Sequence, residues 1–561
     1  MLSSSVQSLG LLSLAMLAKA ATVTYNFDIT WVWASPDGFG RPVIGINNQW
    51  PCPTIQANVG DTIVVNLNNK LGNQTTGIHW HGINQVTTEE MDGPSDVAQC
   101  PVPPGSTIKY QFTADTAGTY WYHSHNMGQY PDGLRGPLII QDPNDPNKSN
   151  YDEEVILTVT DWYHDQSLTL VRDMLVTSNT RFSPPIPNNI LLNEGQGAKY
   201  KVENGKKYRF RFINMAALAG AMIHFNGQKM NVIMNDAAMV QEEAVDMLKI
   251  AAAQRYDFIV EAKDSDNHPF LVALDVNRDF HNPNLGALQW PFNATGYLVG
   301  DSSKATDAVD VVSQFDPADD SKFKPYDGAG PYANPNKQIK LDFQFCLDEN
   351  GYPRACFNNV TYINQKVPTL YTAATTGDDN TNPIIYGQVN PQIVEDGDIV
   401  DIIVNNLDDA AHPFHLHGHH FQTLVRAASQ AGTWPGNENG YASAPPMRDT
   451  LTVNGGSYAV LRFKADNPGV WLFHCHIEWH VEMGLTVSII ESPSKLKGFT
   501  FPDDHIENCK IQNIPYQGNA AGNTQNHTDT TGFITVPPTT YTGSMYQAPA
   551  NKRSRISGWS N

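Results

Sequence analysis

One short pattern of apolar and polar positions occurs three times along the chain. In Gly60–Asn69 and Gly397–Asn406 a Gly-Asp turn leads into β-branched residues alternating with polar ones, and Gly205–Asn214 is a weaker copy built on aromatic residues. A period of two after a turn is the mark of a strand with one face in a core. A second repeat is sharper. Gly118–His125 aligns with Gly469–His476, and Ser124 stands where the later copy has Cys475.

These repeats predict an all-β protein of three β-sandwich domains over residues 21–147, 148–305 and 335–495, with acidic, Asn- and Pro-rich linkers such as Asp142–Asn150 and Asp316–Lys337. Residues 510–561, rich in Gly, Asn, Gln and Thr, read as a flexible tail.

Composition adds a compartment. Residues 1–20 have an apolar stretch, Leu9–Leu17, followed by the small-x-small pattern Ala18-Lys19-Ala20, so a signal peptide ending before Ala21 is expected, although no Lys or Arg precedes the apolar stretch. No later segment has the roughly 18 apolar residues that a membrane span needs. The expectation is a secreted, soluble monomer without a membrane anchor. A net charge of −21 disfavours nucleic acid and anionic membranes as partners. Sequons at Asn73, Asn147, Asn293, Asn359 and Asn526 suit glycosylation on that route. Of six cysteines, Cys475 lies among histidines. Export permits disulfides among the other five, with Cys346–Cys356 closing a local loop, Cys100–Cys509 tying the tail to the first domain, and Cys52 left over.

The chemistry sits in four clusters: His79 and His81; His123 and His125; His412, His415 and His417; His474, Cys475, His476 and His480. One His-x-His pair is commonplace, but a duplicated set of four is not. Residues two apart on a strand face the same way. His474 and His476 therefore share a face, and Cys475 points to the other while remaining covalently between them. A thiolate with imidazoles favours copper or zinc, and a trigonal His₂Cys site with a weak axial ligand is the blue-copper arrangement. His412, Cys475 and His480 suit that site. The other eight histidines are enough for three more coppers.

The four-part signature His-x-His-Gly, His-x-His, His-Pro-x-His-x-His and His-Cys-His-x₃-His resembles that of the multicopper oxidases of laccase and ferroxidase type, over residues 22–510. The resemblance implies three cupredoxin-like, Greek-key domains and four copper ions. It places the type 1 copper on His412, Cys475 and His480, and the type 2 copper on His79 and His415. The type 3 pair falls to His81, His123, His125, His417, His474 and His476. The axial type 1 position falls on Leu485, which cannot coordinate, and Met483 is read as packing. Asp92 and Glu478 occupy positions that assist proton delivery during O2 reduction.

Phe463–Trp471 and Gln517–Ala521 resemble the iron-oxidase branch more than laccases. That branch binds ferrous iron with carboxylates. Asp408 matches one, and Asp279 or Asp275 matches another approximately, but a glutamate expected before an Ile-Pro pair is replaced by the run Pro184–Pro187. On that loss the expected activity is laccase-like oxidation of phenols at the His412 or His480 edge, with O2 as acceptor, in fungal pigment or secondary-metabolite synthesis. Ferrous iron is the alternative substrate, and a non-catalytic copper-binding protein the remote one.

Overall fold

The structure is a computed structural model and describes residues 20–263, 266–274, 293–304, 316–537 and 545–546. The expected signal peptide up to residue 19 and the candidates Asp275 and Asp279 lie outside them.

The described strands form six sheets, two to each third of the chain. In the first third, the strand order Ile55–Asn58, Arg135–Gln141, Gly118–Ser124, Ile78–His81 makes one sheet. In the last third, Pro391–Val394, Thr486–Glu491, Gly469–Cys475, His412–Leu416 and Thr450–Val453 repeat that order and add one strand. In both copies the outer strand is parallel to its neighbour and the next two pairings are antiparallel. The register is also shared: His79 pairs with His123, and His415 with His474. The middle third, Glu153–Val299, has the same two-sheet build. The fold is all-β, with cupredoxin-like domains.

The alternation read in the repeats is the burial pattern of the strands. In Thr62–Asn69, Ile63, Val65 and Leu67 are completely buried, each such side chain contributing about 1.5–3 kcal/mol. The core of the last domain does not stop at its own sheets. It is continuous with Trp121 and Tyr130 of the first domain and with Tyr163, Val171 and Met215 of the middle one. The copper-ligand candidates are therefore held at a rigid three-way junction.

Cys100–Cys509 and Cys346–Cys356 are disulfides, and Cys52 is a buried free thiol. The described part of the tail, up to residue 537, makes specific contacts with the body of the fold. After the helix Asp503–Ile511, the backbone of Ala520 exchanges hydrogen bonds with Ile385 and Lys366, and Gln365 brackets Ile534. These contacts are both polar and apolar: fully buried Asn519 donates to the carbonyls of His527 and Asp529, and Ile514 and Tyr516 pack against a buried apolar cluster. Among the described residues no helix is long and apolar enough to cross a membrane.

Candidate metal centre

Eight imidazoles from the first and last domains converge between them with approximate twofold symmetry. His79 stacks on His417 at 4.0 Å between ring centroids, and His81 stacks on His415 at 3.8 Å. His81, His123 and His476 bring ligand atoms within 4.8 Å of one another, and so do His125, His417 and His474. His79 and His415 share a further such group with His81. Each triplet takes residues from both domains, so neither domain alone has the site.

The rings are aimed by backbone carbonyls. His123 Nδ1 donates to the Ser124 carbonyl at 3.0 Å, and His474 Nδ1 to that of Cys475 at 2.8 Å. His79 Nδ1 meets the Asp92 carbonyl and His415 Nδ1 the Asp449 carbonyl, both at 2.9 Å. Such contacts fix the tautomer and leave the opposite nitrogen as a lone-pair donor. Among the described residues, Nε2 of His79, His123 and His415, Nδ1 of His81 and both nitrogens of His476 are buried with no hydrogen-bond partner. Orphaned buried acceptors are costly, and their convergence is what metal ions would relieve. Desolvation, followed by the neighbouring imidazoles, holds His81, His123, His415 and His417 well below the ordinary imidazole value. They are neutral at physiological pH, as ligation requires.

Two carboxylates cross between the domains. Asp92 of the first accepts from His417 Nδ1 of the last at 2.8 Å. Asp449 of the last lies 3.2 Å from His81 Nε2 of the first. Gly93 lets the Asp92 loop lie flat against the histidine strand: it has φ +96°, and a Cβ there would sit 1.8 Å from the Ile78 carbonyl oxygen. Asp449 is further held by Arg255, whose Nη1 and Nη2 donate to it at 2.8 and 2.5 Å while Nε donates to the Thr119 carbonyl. Thus Arg255, from the middle domain, ties all three domains beside the cluster. Gly82 makes room for it, since a Cβ there would lie 2.6 Å from Arg255 Nη2.

Asp449 and Arg255 escaped the sequence reading. Asp449 has no counterpart at the spacing of Asp92, and the middle domain carries no His-x-His pair to draw attention to Arg255. Glu478 is buried at the start of the short helix Glu478–Glu482, its N–H donating to the Ala217 carbonyl at 2.9 Å. Burial, then the charge of Glu482, pushes its carboxyl well above the usual range. His125 is only partly buried and lines a cavity of 270 Å³ with Asp96 and Glu482, which gives the cluster an opening.

On the opposite face of the Gly469–Cys475 strand, Cys475 Sγ lies 3.8 Å from His412 Nδ1 and 3.7 Å from His480 Nδ1. A trigonal ion with metal–sulfur and metal–nitrogen bonds of about 2.3 and about 2.0 Å spans roughly 3.7 Å between such ligands, so the three atoms fit one ion. Burial alone pushes the Cys475 thiol far up, and only a cation would hold it as thiolate. Leu485 is fully buried, its carbonyl accepting the Cys475 N–H at 3.1 Å. Asp408 accepts from His412 Nε2 at 3.0 Å with 28% of its side chain exposed. Burial would raise this carboxyl, but the bond to His412 and its positive field hold it below the usual value. Of the sequons, Asn293, Asn359 and Asn526 are exposed, Asn73 is half-buried and Asn147 is buried, at 6% exposure.

Models of the multicopper oxidase family match residues 28–145, 153–289 and 362–495. The iron transport multicopper oxidase fetC of Epichloe festucae is 47% identical over 93% of this chain and 85% of its own. The iron transport multicopper oxidase FET3 of Saccharomyces cerevisiae is 37% identical over 93% and 84%. The crystal structure of Fet3p, a multicopper oxidase that functions in iron import, superposes with a TM-score of 0.87 over 92% of this chain and 99% of that one, at 37% identity. A laccase from Botrytis aclada superposes at 0.78 over 88% and 92%, with 28% identity. Family models covering most of the chain, and relatives this similar along nearly its whole length, agree with the duplicated histidine geometry: the chain belongs to the multicopper oxidase family, in its iron-oxidase branch.

Proposed function

We propose that this protein is a ferroxidase, coupling four one-electron oxidations of ferrous iron to the reduction of O2 to two waters. The observation that carries it is the Asp408 carboxylate, anchored on His412 at 3.0 Å and still reaching solvent. A fixed, partly exposed anion at the electron-entry imidazole is a binding group for a small cation. The similarity to iron-transport oxidases supports the same reading. The similarity supports ferrous iron better than the laccase-like expectation, which rested on one lost glutamate, and lends no support to a role in pigment synthesis.

In this reading His412, Cys475 and His480 hold the type 1 copper, and His79 with His415 the type 2. His81, His123 and His476 hold one type 3 ion, and His125, His417 and His474 the other. Copper there supplies one-electron acceptance at the thiolate site and multi-electron reduction of O2 at the histidine cluster. The chain supplies the rest. Asp408 would capture and orient the iron, and Leu485, buried beside Cys475 with no donor atom in its side chain, would add no ligand to the thiolate site. The backbone from Cys475 to His474 and His476 links the two sites covalently. Asp92 and Asp449 orient cluster imidazoles, and Glu478 would supply protons. The apolar N-terminal segment Leu9–Leu17, followed by Ala18-Lys19-Ala20, supports secretion as part of this proposal. Steady-state O2 consumption by the copper-loaded protein tests the reading: kcat/KM is expected to be higher for ferrous iron than for a dimethoxyphenol, and the reverse order would refute it.

A further inference from the structure

Access to the Cys475 site is lopsided. On one side is the Asp408 carboxylate. On the other, aromatic rings cover both imidazoles. Phe343 packs edge-on to His412 at 4.6 Å between centroids, and Phe345 lies 5.2 Å from His480 and 6.2 Å from His412. Phe182, from the middle domain, stacks on Phe345 at 5.2 Å with only 16° between the planes. Beneath them His412 and His480 are completely buried.

Both halves of this cover are fixed. Phe345 belongs to the strand Lys337–Leu347, pairs with Ala355 and precedes the Cys346–Cys356 disulfide. Phe182 stands at φ 54°, a left-handed conformation that a bulky residue adopts only when its surroundings impose it. Here they do. Asn179 accepts the Phe182 N–H on its carbonyl and the Ser183 N–H on Oδ1, and its Nδ2 donates to the carbonyls of Met174 and Ser183. The same turn continues into Pro184 and Pro185, which stiffen its exit.

We propose that Phe182 and Phe345 form a fixed interdomain lid that sets the substrate class, excluding planar aromatic donors from the His412 and His480 edges while leaving the Asp408 approach to a small hydrated cation. A phenol must reach van der Waals contact with an imidazole edge to transfer its electron efficiently, and each interposed ring adds about 3.5 Å of separation. An iron ion on Asp408 is joined to His412 by a hydrogen bond and needs no such contact. The preferred donor named here rests on the ferroxidase reading, but the covering of the imidazoles does not.

The test uses the full-length, copper-loaded protein and the variants Phe182→Ala, Phe345→Ala and Phe182→Leu, each checked for copper content and blue absorption. In the alanine variants the ratio of kcat/KM for a dimethoxyphenol to that for ferrous iron should rise about tenfold or more, the scale of one pocket contact. Phe182→Leu, which keeps bulk, should rise less. Independently of turnover, the oxidised alanine variants should broaden the proton resonances of trimethoxybenzene, an inert mimic, through the paramagnetic type 1 ion, while the parent protein should not. A ratio unchanged in loaded variants, or a raised ratio without new broadening, would overturn the lid. If the parent protein prefers the phenol, the ferroxidase reading fails, and the broadening comparison still decides on the lid.

Discussion

Replacing Asp408 by asparagine isolates its charge from its shape. The amide oxygen can still accept from His412 Nε2, now at 3.0 Å from the carboxylate, so the imidazole stays in place and one unit of negative charge disappears. Two unit charges about 4 Å apart in water interact by about 1 kcal/mol, so a divalent ion loses about 2 kcal/mol. Because 28% of the side chain is exposed, the water-like figure is the appropriate floor. It corresponds to an affinity loss of about 30-fold. Loss of an anion beside the thiolate site also raises its potential, which favours oxidation of any neutral donor. The two substrates should therefore part: KM for ferrous iron rises about 30-fold at low salt, less as salt screens the ion, and kcat/KM for a dimethoxyphenol holds or improves. Stopped-flow and O2-electrode kinetics at two ionic strengths read both. An iron KM within about twofold of the parent protein, or equal losses for both substrates, would refute the reasoning.

Two further outcomes are expected. Arg255→Met leaves the Asp449 carboxylate buried without its guanidinium, and breaking such a pair costs about 3–5 kcal/mol; denaturant unfolding should show that loss, with copper depleted from the histidine cluster, and a loss under about 1 kcal/mol would remove Arg255 from its role as the three-domain tie. Glu154, held at about 2 by Arg211 against the opposing effect of burial, has a depressed folded-state value, so its stabilisation is full above the unfolded carboxyl value near 4.3 and disappears as pH falls towards 2. The difference in thermal midpoint between the parent protein and Glu154→Gln should thus narrow by more than half between pH 5 and pH 2.5, and a constant difference would count against the pair.

The sequence made the donors legible because they obey strand periodicity. His123 and His125, like His474 and His476, are two apart and share a face, and the duplication pairs each with its partner in the other domain. Nothing periodic marks Asp449 or Arg255. They act across domain boundaries, and their positions depend on how three sandwiches pack, which local pattern does not encode. The contacts of the described part of the tail are illegible for a different reason: a polar composition argues against an apolar core, yet Asn519 builds a small polar one from backbone carbonyls. The phenol expectation rests on the replacement at Pro184 and Pro185, whereas the contact of Asp408 with His412, which the iron reading rests on, is displayed only by the folded chain.

The most direct test of the whole arrangement is Cys475→Ser. The account holds that the two copies of one strand motif together build two separate sites, with Cys475 of one site bonded on either side to His474 and His476 of the other. The variant should retain three coppers per chain by metal analysis, lose the absorption near about 600 nm that a thiolate–copper pair gives, and oxidise neither ferrous iron nor a dimethoxyphenol. Loss of all copper, or a colourless protein that still oxidises ferrous iron, would contradict it.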